Sequence, residues 1–523
     1  MLFLLSILWL IRETKAILFY LYLWQLKEYH IGRFLDHFRT EKGKRLIFNS
    51  LNLLKILLIS GFFIFPFYFP FILVALYTLE VAKALTDFFQ KRLKKPVLTK
   101  KTVFLILAAL LLEILFIFAN WFRLTPSFAL WLLIFDIFTL AIASGITLIF
   151  QPLVVLGRNQ IIKKAKKKRD DFKNLLVIGI TGSYGKTSTK EFLATILSEK
   201  FKVLKTAEHQ NSEVGISQCI LNDLKPEHEI FVVEMGAYNR GGIKLLCDIA
   251  RPKIGVITGI NEQHLSTFGS LENIIKGKYE LIESLPEDGL SIFNGDNEYC
   301  FELYKKTLIK KRVYGLQSSI SGLPLDILAY NIRAEKDFIT FRVALGDEIA
   351  DFKVNLMGSQ NVSNVLAAAV CARELGMTLE EISRACQKIE SWQSGFQLKK
   401  GINGLNIIDA TYSANPDGVL SHLEYLKLWP GKKVIVMPCL IELGKASEEV
   451  HKRIGRKIGE VCNLAIITTK ERFEEIKEGA GDKALFIENP KEIFEKLKSF
   501  CNPGDLVLLE SRVPSQLISL LVE

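Results

Sequence analysis

The stretch that decides the fold is Asn174-Leu-Leu-Val-Ile-Gly-Ile-Thr-Gly-Ser-Tyr-Gly-Lys-Thr-Ser188. It predicts a short buried strand, a glycine-rich loop and a helix that starts at about Thr187. Backbone N–H groups at such a helix start can hold phosphates, Lys186 can reach the β- and γ-phosphates, and the Thr187 hydroxyl can bind Mg²⁺. The strict P-loop pattern has a glycine where this chain has Ile180. Taken alone, the stretch therefore predicts a phosphate site with a loose match to the general motif.

Polar side chains follow the next two predicted strands. Strand Ile230–Val233 ends at Glu234, and strand Ile254–Ile257 leads to His264. Alternating strands and helices of this kind predict a parallel, doubly wound sheet, which binds ligands at the carboxyl ends of its strands. From the residues alone, Glu234 is equally well interpreted as a magnesium ligand and as a capping or solvated residue. A lone histidine such as His264 is more often structural than a ligand.

A second α/β pattern begins near residue 405 and predicts a C-terminal, Rossmann-like α/β domain. Its predicted strands are Leu405–Ile408, Lys433–Val436, Leu464–Ile467 and Leu506–Leu509. The space between two α/β domains is a common place for a ligand. The sequence thus predicts an α-helical membrane region followed by two α/β domains, divided as 1–157 (membrane region), 158–173 (basic cytoplasmic linker), 174–394 (central ATP-binding domain) and 395–523 (C-terminal domain).

The first 157 residues are apolar, with basic segments between the apolar ones. Thr102–Phe122 and Phe128–Phe150 each reach the ~20 apolar residues that a transmembrane helix needs. The longer run Leu46–Leu85 is broken by two prolines and predicts two spans. Met1–Trp24 is interrupted by charges and is either a fifth span or an interfacial helix. We therefore expect four to five transmembrane helices.

The net charge of +11 is concentrated beside these apolar segments. Lys27–Arg45, Lys91–Lys101 and Arg158–Arg169 are rich in lysine and arginine, which favours membrane topology and anionic lipids over nucleic acid. Alternation then places all three in the cytoplasm, together with the chain after residue 170. The protein is expected in the inner (cytoplasmic) membrane as a multi-pass protein. The eight cysteines all follow residue 200 and form no C-x-x-C pair, as in a reduced cytosolic domain.

Five ionisable residues fall within or near the apolar segments: Lys55, Glu80, Lys83, Glu113 and Asp136. Ionisable groups at membrane depth are candidates for function. The alternative, which we favour, is that the lysines reach the interface and the acids pair inside the helix bundle.

Segments of the cytoplasmic half together resemble the Mur ligase family. The segments that carry the resemblance are Thr181–Ser188 (the T-G-x-x-G-K-T loop, which has no first glycine), Glu234–Ala237, Asn261–Ser270, Lys276–Leu281, Gly358–Ala368, Asp409–Asp417 and Glu442–Gly444. They extend over the chain from Asn174 to its last residue, and the last two resemble the member that adds D-alanyl-D-alanine. Their number and order make the resemblance specific.

The resemblance implies a set of site residues. ATP would be bound by Thr181, Gly182, Ser183, Gly185, Lys186, Thr187, Ser188, Asn361, Asn364 and Asp409. Mg²⁺ would be held by Thr187, Glu234, His264 and Lys278, the last as a carbamylated lysine. Lys186, Glu234, His264 and Lys278 would be the catalytic residues, and Asn211 and Asn415 would contact the substrates.

The implied activity is ATP-dependent amide-bond formation through an acyl phosphate. The expected substrates are a muramyl tripeptide carboxylate and D-alanyl-D-alanine. Alternatives are a lipid-linked cell-wall precursor, another amine donor, or a degenerate nucleotide-binding scaffold for cell-wall enzymes. A membrane transporter is less consistent, because the motifs of a second nucleotide site are missing.

The chain departs from the family pattern at several positions. The small domain that grips uridine diphosphate is not recognisable, and apolar segments occupy its place. Gln360, Phe396, Ala410 and Leu509 stand where the family has histidine, arginine, aspartate and lysine. The departures put the rate and the substrate in doubt more than the reaction class.

Overall fold

The computed structural model describes residues 1–90, 92–121, 126–316, 325–412 and 415–522. Several residues that bound or belong to the predicted segments lie outside these ranges, namely Lys91, Phe122, residues 413–414 and Glu523. The described chain forms two compact units, Met1–Asn159 and Gln160–Glu523.

The first unit is helical. Its helices are α1 (Leu2–Leu26), α2 (Ile31–His37), α3 (Glu41–Ile47), α4 (Ser50–Ile64), α5 (Phe69–Phe89), α6 (Lys100–Trp121), α7 (Pro126–Ile137) and α8 (Thr139–Ile149). Helix α9 (Gln151–Asp170) begins in this unit and ends in the next. Its last turns pack Ile162 and Ala165 into the core of the second unit, so much of the expected linker is helical.

Three helical segments are long and apolar enough to cross a membrane: Gly43–Ile64, Phe69–Phe89 and Lys100–Asn120. The pair Ser127–Ile137 and Thr139–Ile149 passes the same test as one span, but it bends by 64°. The sequence predicts one span over Phe128–Phe150 from its apolar length, and no proline or glycine stands at the position of the bend. Helix α1 is continuous over Leu2–Leu26 and is not among the candidates in the described chain.

Charged side chains inside the helical unit pair with each other. The Lys55 ammonium lies 2.6 Å from a Glu80 carboxylate oxygen and 2.7 Å from an Asp136 carboxylate oxygen. Arg12 also contacts Glu80, at 2.8 Å. The pairing expected for the acids is confirmed for Glu80 and Asp136, whereas Lys55, which was expected to reach the interface, is fully buried beside them. Glu113 differs, because it is fully buried and its oxygens have no hydrogen-bond partner among the described residues.

The second unit contains two sheets. The central one has nine strands in the order β2-β3-β1-β4-β5-β6-β7-β8-β9. Its strands are β1 (Leu176–Thr181), β2 (Val203–Lys205), β3 (Ile230–Glu234), β4 (Ile254–Ile257), β5 (Leu290–Asn294), β6 (Lys311–Leu316), β7 (Ile327–Ala334), β8 (Ile339–Leu345) and β9 (Glu348–Val354). Strands β1 to β7 pair in parallel, whereas β8 and β9 are antiparallel additions.

Helices cover both faces of the central sheet. They are α10 (Lys186–Leu197), α11 (Glu213–Asn222), α12 (Gly242–Ala250), α13 (Leu265–Phe268), α14 (Leu271–Glu283), α15 (Glu298–Lys306), α16 (Asn361–Glu374) and α17 (Leu379–Cys386). Alternate residues of β1 point into different cores: Ile178 packs in the core that includes α10 and α16, and Val177 in the core that includes α11 and α14. The predicted doubly wound, mostly parallel sheet is confirmed.

The C-terminal sheet has six strands in the order β10-β11-β15-β12-β13-β14. Its strands are β10 (Gln397–Lys400), β11 (Asn406–Ala410), β12 (Lys433–Met437), β13 (Leu464–Ile467), β14 (Ala484–Phe486) and β15 (Leu506–Glu510), and its helices are α18 (Pro416–Leu426), α19 (Ser447–Val461), α20 (Phe473–Ala480), α21 (Pro490–Phe500) and α22 (Ser515–Leu521). Only the pairing of β10 with β11 is antiparallel. The eight cysteines are free thiols; seven are buried and Cys501 is partly exposed.

Candidate functional site

The glycine-rich loop joins β1 to α10 at the carboxyl edge of the central sheet. Helix α10 begins at Lys186, after Gly185 in a left-handed conformation (φ 75°). A Cβ at Gly185 would lie 2.5 Å from the Asn364 side-chain oxygen, so a glycine is required there for conformation and for space. The Thr181 hydroxyl, at the start of the loop, donates to the Met235 carbonyl at 2.8 Å and so ties the loop to the end of β3.

Lys186 lies over its own loop. Its ammonium donates to the Gly182 carbonyl at 2.8 Å and to the Ser183 carbonyl at 3.3 Å. Burial lowers the pKa of Lys186, and the nearby Glu234 carboxylate partly opposes this. Ser188 lies in the first turn of α10 and is half-buried. A phosphate that enters the loop would replace the two carbonyls as the partner of this ammonium.

Glu234 ends β3 directly beside the loop, since Ile180 and Glu234 are paired neighbours in the sheet. The Thr187 hydroxyl donates to one Glu234 oxygen at 3.0 Å, and the Asn211 amide donates to the other at 3.0 Å. A hydroxyl and a carboxylate at this distance form an oxygen pair of the type that Mg²⁺ accepts beside phosphates. Asn211, predicted near the substrate, contacts the Glu234 carboxylate.

Lys190 is a residue that the sequence reasoning missed. Its side chain is fully buried one helical turn after Lys186, and its ammonium lies 3.6 Å from Glu234 and 3.1 Å from Glu191. Its nitrogen has no hydrogen-bond partner in the part of the chain that the structure describes. The i, i+4 spacing from Lys186 was the available signal, because it places both lysines on one face of α10.

His264 follows β4 in a left-handed conformation (φ 65°). Its Nδ1 lies 2.6 Å from a Glu442 oxygen, and the Tyr238 ring contacts it edge-on at 4.8 Å. A carboxylate bound to Nδ1 fixes the imidazole orientation and makes Nε2 available as a ligand atom. Burial lowers the pKa of His264, and Glu442 opposes this. The ring is therefore suited to act as a neutral ligand.

Lys278 lies on α14 and is buried. Burial lowers the pKa of Lys278 to about 7, and the positive charge of Lys186 contributes to this. A lysine with such a pKa has a substantial neutral fraction near pH 7, and a neutral amine reacts with carbon dioxide to give a carbamate. No three His, Cys, Asp or Glu side chains converge as a metal site within the described ranges. The set inferred from the sequence relies instead on a hydroxyl and a carbamate.

Asn361 and Asn364 lie at the start of α16, which packs against α10. The Asn361 amide donates to the Met357 carbonyl at 2.9 Å, and the Asn364 amide donates to Asn361 at 3.2 Å. Asn364 also accepts from Thr189 at 3.4 Å. The two predicted adenine contacts thus lie beside the phosphate loop.

The C-terminal part reaches the same edge of the central sheet. In addition to the His264–Glu442 contact, the Asn261 amide donates to Asp417 at 2.9 Å. Asn415, predicted to contact substrate, caps α18 by accepting from the Gly418 N–H at 2.8 Å. Asp409 accepts from Lys399 at 2.6 Å and from Thr411.

Two of the departures from the family pattern form a cluster of their own. Phe396 is buried and stacks on the His422 ring at 4.3 Å, and His422 contacts the buried Glu510 carboxylate at 2.7 Å. Ala410 lies in the apolar core of the same sheet. This part of the site therefore carries a buried aromatic ring where the pattern has an arginine, and a methyl group where it has an aspartate.

Comparison with known proteins identifies the family. Residues 180–372 match the model of the Mur ligase middle domain, and residues 396–512 match that of the Mur ligase, glutamate ligase domain. The UDP-N-acetylmuramoyl-tripeptide–D-alanyl-D-alanine ligase of Bacillus subtilis is 30% identical over 343 residues, which cover 64% of this chain and 72% of the relative. The Escherichia coli ligase of the same name is 31% identical over 280 residues, or 53% of this chain and 61% of the relative.

Solved structures give the same result. The MurF ligase from Thermotoga maritima in complex with ADP is 27% identical with a TM-score of 0.61, covering 69% of this chain and 83% of that one. MurF from Acinetobacter baumannii is 25% identical with a TM-score of 0.63, covering 69% and 80%. The chain belongs to the Mur ligase family and is an ATP-dependent ligase.

Proposed function

We propose that this protein joins D-alanyl-D-alanine to the carboxylate of a muramyl tripeptide, with hydrolysis of ATP to ADP and phosphate. Two observations support these substrates. The relatives described above are named as ligases that join D-alanyl-D-alanine to this tripeptide, and the Asp409–Asp417 segment resembles the corresponding segment of that family member. The observation that carries the reaction class is the convergence of Lys186, Thr187 and Glu234 at one edge of the central sheet.

The reaction has two steps. A carboxylate oxygen of the tripeptide bonds to the γ-phosphorus while the bond from that phosphorus to the ADP oxygen breaks, which gives an acyl phosphate. The amine nitrogen of the dipeptide then bonds to the acyl carbon, phosphate leaves, and the nitrogen loses a proton. Lys186 and the loop N–H groups hold the ATP phosphates in line with the carboxylate. Asn361 and Asn364 contact adenine, and Asp409 contacts the nucleotide from the C-terminal part.

The side chains fit a magnesium requirement. Thr187 and Glu234 would hold Mg²⁺ beside the phosphates, and His264 with carbamylated Lys278 would hold a second ion near the acceptor. Bound Mg²⁺ would neutralise phosphate charge and so favour attack by an anion. Asn211 orients Glu234 through their 3.0 Å hydrogen bond, and Glu442 orients His264.

We also propose that the helical unit spans the inner membrane, with the ligase on the cytoplasmic side. The apolar helices and the basic segments beside them support this. A lipid-linked form of the muramyl peptide is the second candidate substrate, because apolar helices stand where the family has its uridine-diphosphate domain. Another amine donor would use the same phosphate centre.

The test is ATP-dependent phosphate release by the full-length protein in detergent. It compares uridine-diphosphate muramyl tripeptide with its lipid-linked form, each with D-alanyl-D-alanine. We expect release with at least one acceptor and a loss of about 100-fold or more in Lys186→Ala, since that change removes the only cation in direct contact with the loop carbonyls in the described structure. Lys305→Ala, at an exposed lysine, is the matched control and should retain activity. Nucleotide binding without release for either acceptor would favour the scaffold alternative.

A further inference from the structure

A pocket of about 260 Å³ lies in the helical unit. It is formed where the end of α1, the turn before α2 and the end of α8 meet, and its lining includes Trp24, Tyr29, Leu148 and Gln151. Tyr29 has a left-handed backbone (φ 57°), which a non-glycine residue adopts at a cost. This turn places Tyr29 among the residues that line the pocket.

Two polar atoms of the lining have unmet hydrogen-bonding capacity. The Tyr29 hydroxyl and the Gln151 side-chain oxygen are both buried, and neither has a partner among the residues that the structure describes. Burial raises the pKa of Tyr29 to about 12, so the phenol is a proton donor at neutral pH. A buried polar group without a hydrogen-bond partner is unfavourable. A ligand that fits must offer an acceptor to Tyr29 and a donor to Gln151.

The surroundings of the pocket are cationic on one side and apolar on the other. The Lys101 ammonium lies 3.2 Å from the centre of the Tyr29 ring. Lys27 and Arg33 are buried in the same turn region, where Arg33 is paired with Glu28 at 2.9 Å. On the rim, Ile31 and Leu148 are 52% and 42% exposed. Cations attract an anionic group, and an exposed apolar rim suits a hydrocarbon chain.

We propose that this pocket binds the phosphate of a lipid whose headgroup also carries a hydroxyl. The phosphate oxygen accepts from Tyr29, the headgroup hydroxyl donates to Gln151, and the chain lies along Ile31 and Leu148. The basic segment Lys27–Arg45 places this end of the bundle on the cytoplasmic face, where anionic headgroups are found. The inference rests on the membrane proposal above and goes beyond the ligase reaction.

The test uses the full-length protein in phosphatidylcholine nanodiscs that contain a small fraction of phosphatidylglycerol. Retained phosphatidylglycerol is counted by native mass spectrometry after release from the disc. We expect one tightly retained molecule, and a loss of about tenfold or more in retention for the double variant Tyr29→Phe, Gln151→Met, since both hydrogen bonds are removed. The matched control is Tyr68→Phe, which removes a hydroxyl that is 62% exposed in the turn before α5.

Three other results would contradict parts of this proposal. Equal retention by the wild type and the double variant would contradict the pocket assignment. Displacement of the lipid by millimolar glycerol 1-phosphate would show that the pocket takes a soluble phosphate ester and would overturn the lipid part. Failure of the protein to insert into nanodiscs would contradict the membrane proposal. The ligase proposal would be unaffected, because phosphate release does not require insertion.

Discussion

At the scale of single residues, the ligase site is governed by where lysines are buried. Three lysines lie near Glu234, and each has a different partner. Lys186 donates to loop carbonyls, Lys190 faces carboxylates, and Lys278, by our proposal, reacts with carbon dioxide. The sequence identified Lys186 and Lys278 through motifs. Lys190 was missed because a lysine in the second turn of a helix is normally exposed, and only the fold shows that it is buried against Glu234.

The carbamate proposed for Lys278 gives a prediction at this scale. Its folded pKa of about 7 is below the ordinary value of 10.5, so the neutral amine is favoured above pH 7 and protonation prevails below it. In buffer with labelled carbon dioxide, we expect a ¹³C carbamate signal that appears as pH rises through 7, because the amine fraction falls about tenfold per unit below the pKa. The signal should be absent in Lys278→Arg and present in Lys276→Arg, at an exposed neighbour. A signal that persists in Lys278→Arg would contradict the assignment.

At the scale of elements, the apolar strands were predicted best. β1, β3, β4 and four of the six C-terminal strands were found from short runs of β-branched residues, because burial on both faces leaves a continuous apolar signal. The antiparallel strands at the edge of the central sheet were missed, since their exposed face carries charges such as Arg342 and Asp351. The break between α7 and α8 was also missed, because tertiary contacts of Asp136 and Thr139 hold it and no helix-breaking residue marks it.

The start of α10 gives a prediction for an element. In Gly185→Ala the new methyl group meets left-handed strain, of about 1–2 kcal/mol, and a contact with Asn364 at 2.5 Å. Gly376→Ala is the matched control, since it has φ 85° and no atom within 4 Å of its Cβ. We expect both variants to lose stability in thermal unfolding, Gly185→Ala more than Gly376→Ala because of the added contact, and only Gly185→Ala to lose ATP affinity in calorimetry. Equal ATP affinity in the two variants would mean that the loop tolerates a side chain.

At the scale of the whole molecule, the chain combines two compact units. The resemblance predicted the ligase half from its motifs, and composition predicted the helical half without a relative to guide it. The partners of the charges inside the helical unit could not be predicted in detail, because they come from different helices: Lys55 on α4 contacts Glu80 on α5 and Asp136 on α7.

This ion cluster gives a prediction for the molecule as a whole. Lys55→Met leaves the Glu80 and Asp136 carboxylates without that cation in an apolar bundle, which should destabilise the helical unit by about 3–5 kcal/mol. Thermal unfolding in detergent, followed by helical circular dichroism, should show a lower first transition, while ATP-dependent stabilisation of the ligase unit stays unchanged. Lys83→Met, at an exposed lysine, should have little effect. A loss of ATP-dependent stabilisation in Lys55→Met would show that the units do not fold independently.

The distribution of thiols has a practical consequence. The helical unit contains no cysteine, and seven of the eight cysteines in the ligase unit are buried. Burial raises the pKa of the Cys300, Cys371 and Cys386 thiols. Thiolates react with maleimides and thiols hardly do, so the native protein should be nearly silent toward such reagents. Single cysteines can therefore be introduced into the wild-type chain without first removing the native ones. One cysteine placed in the Pro66–Pro70 turn, and another placed in the Lys27–Arg45 loop, would each be labelled from one side of a vesicle. The labelled side would show which way the chain faces.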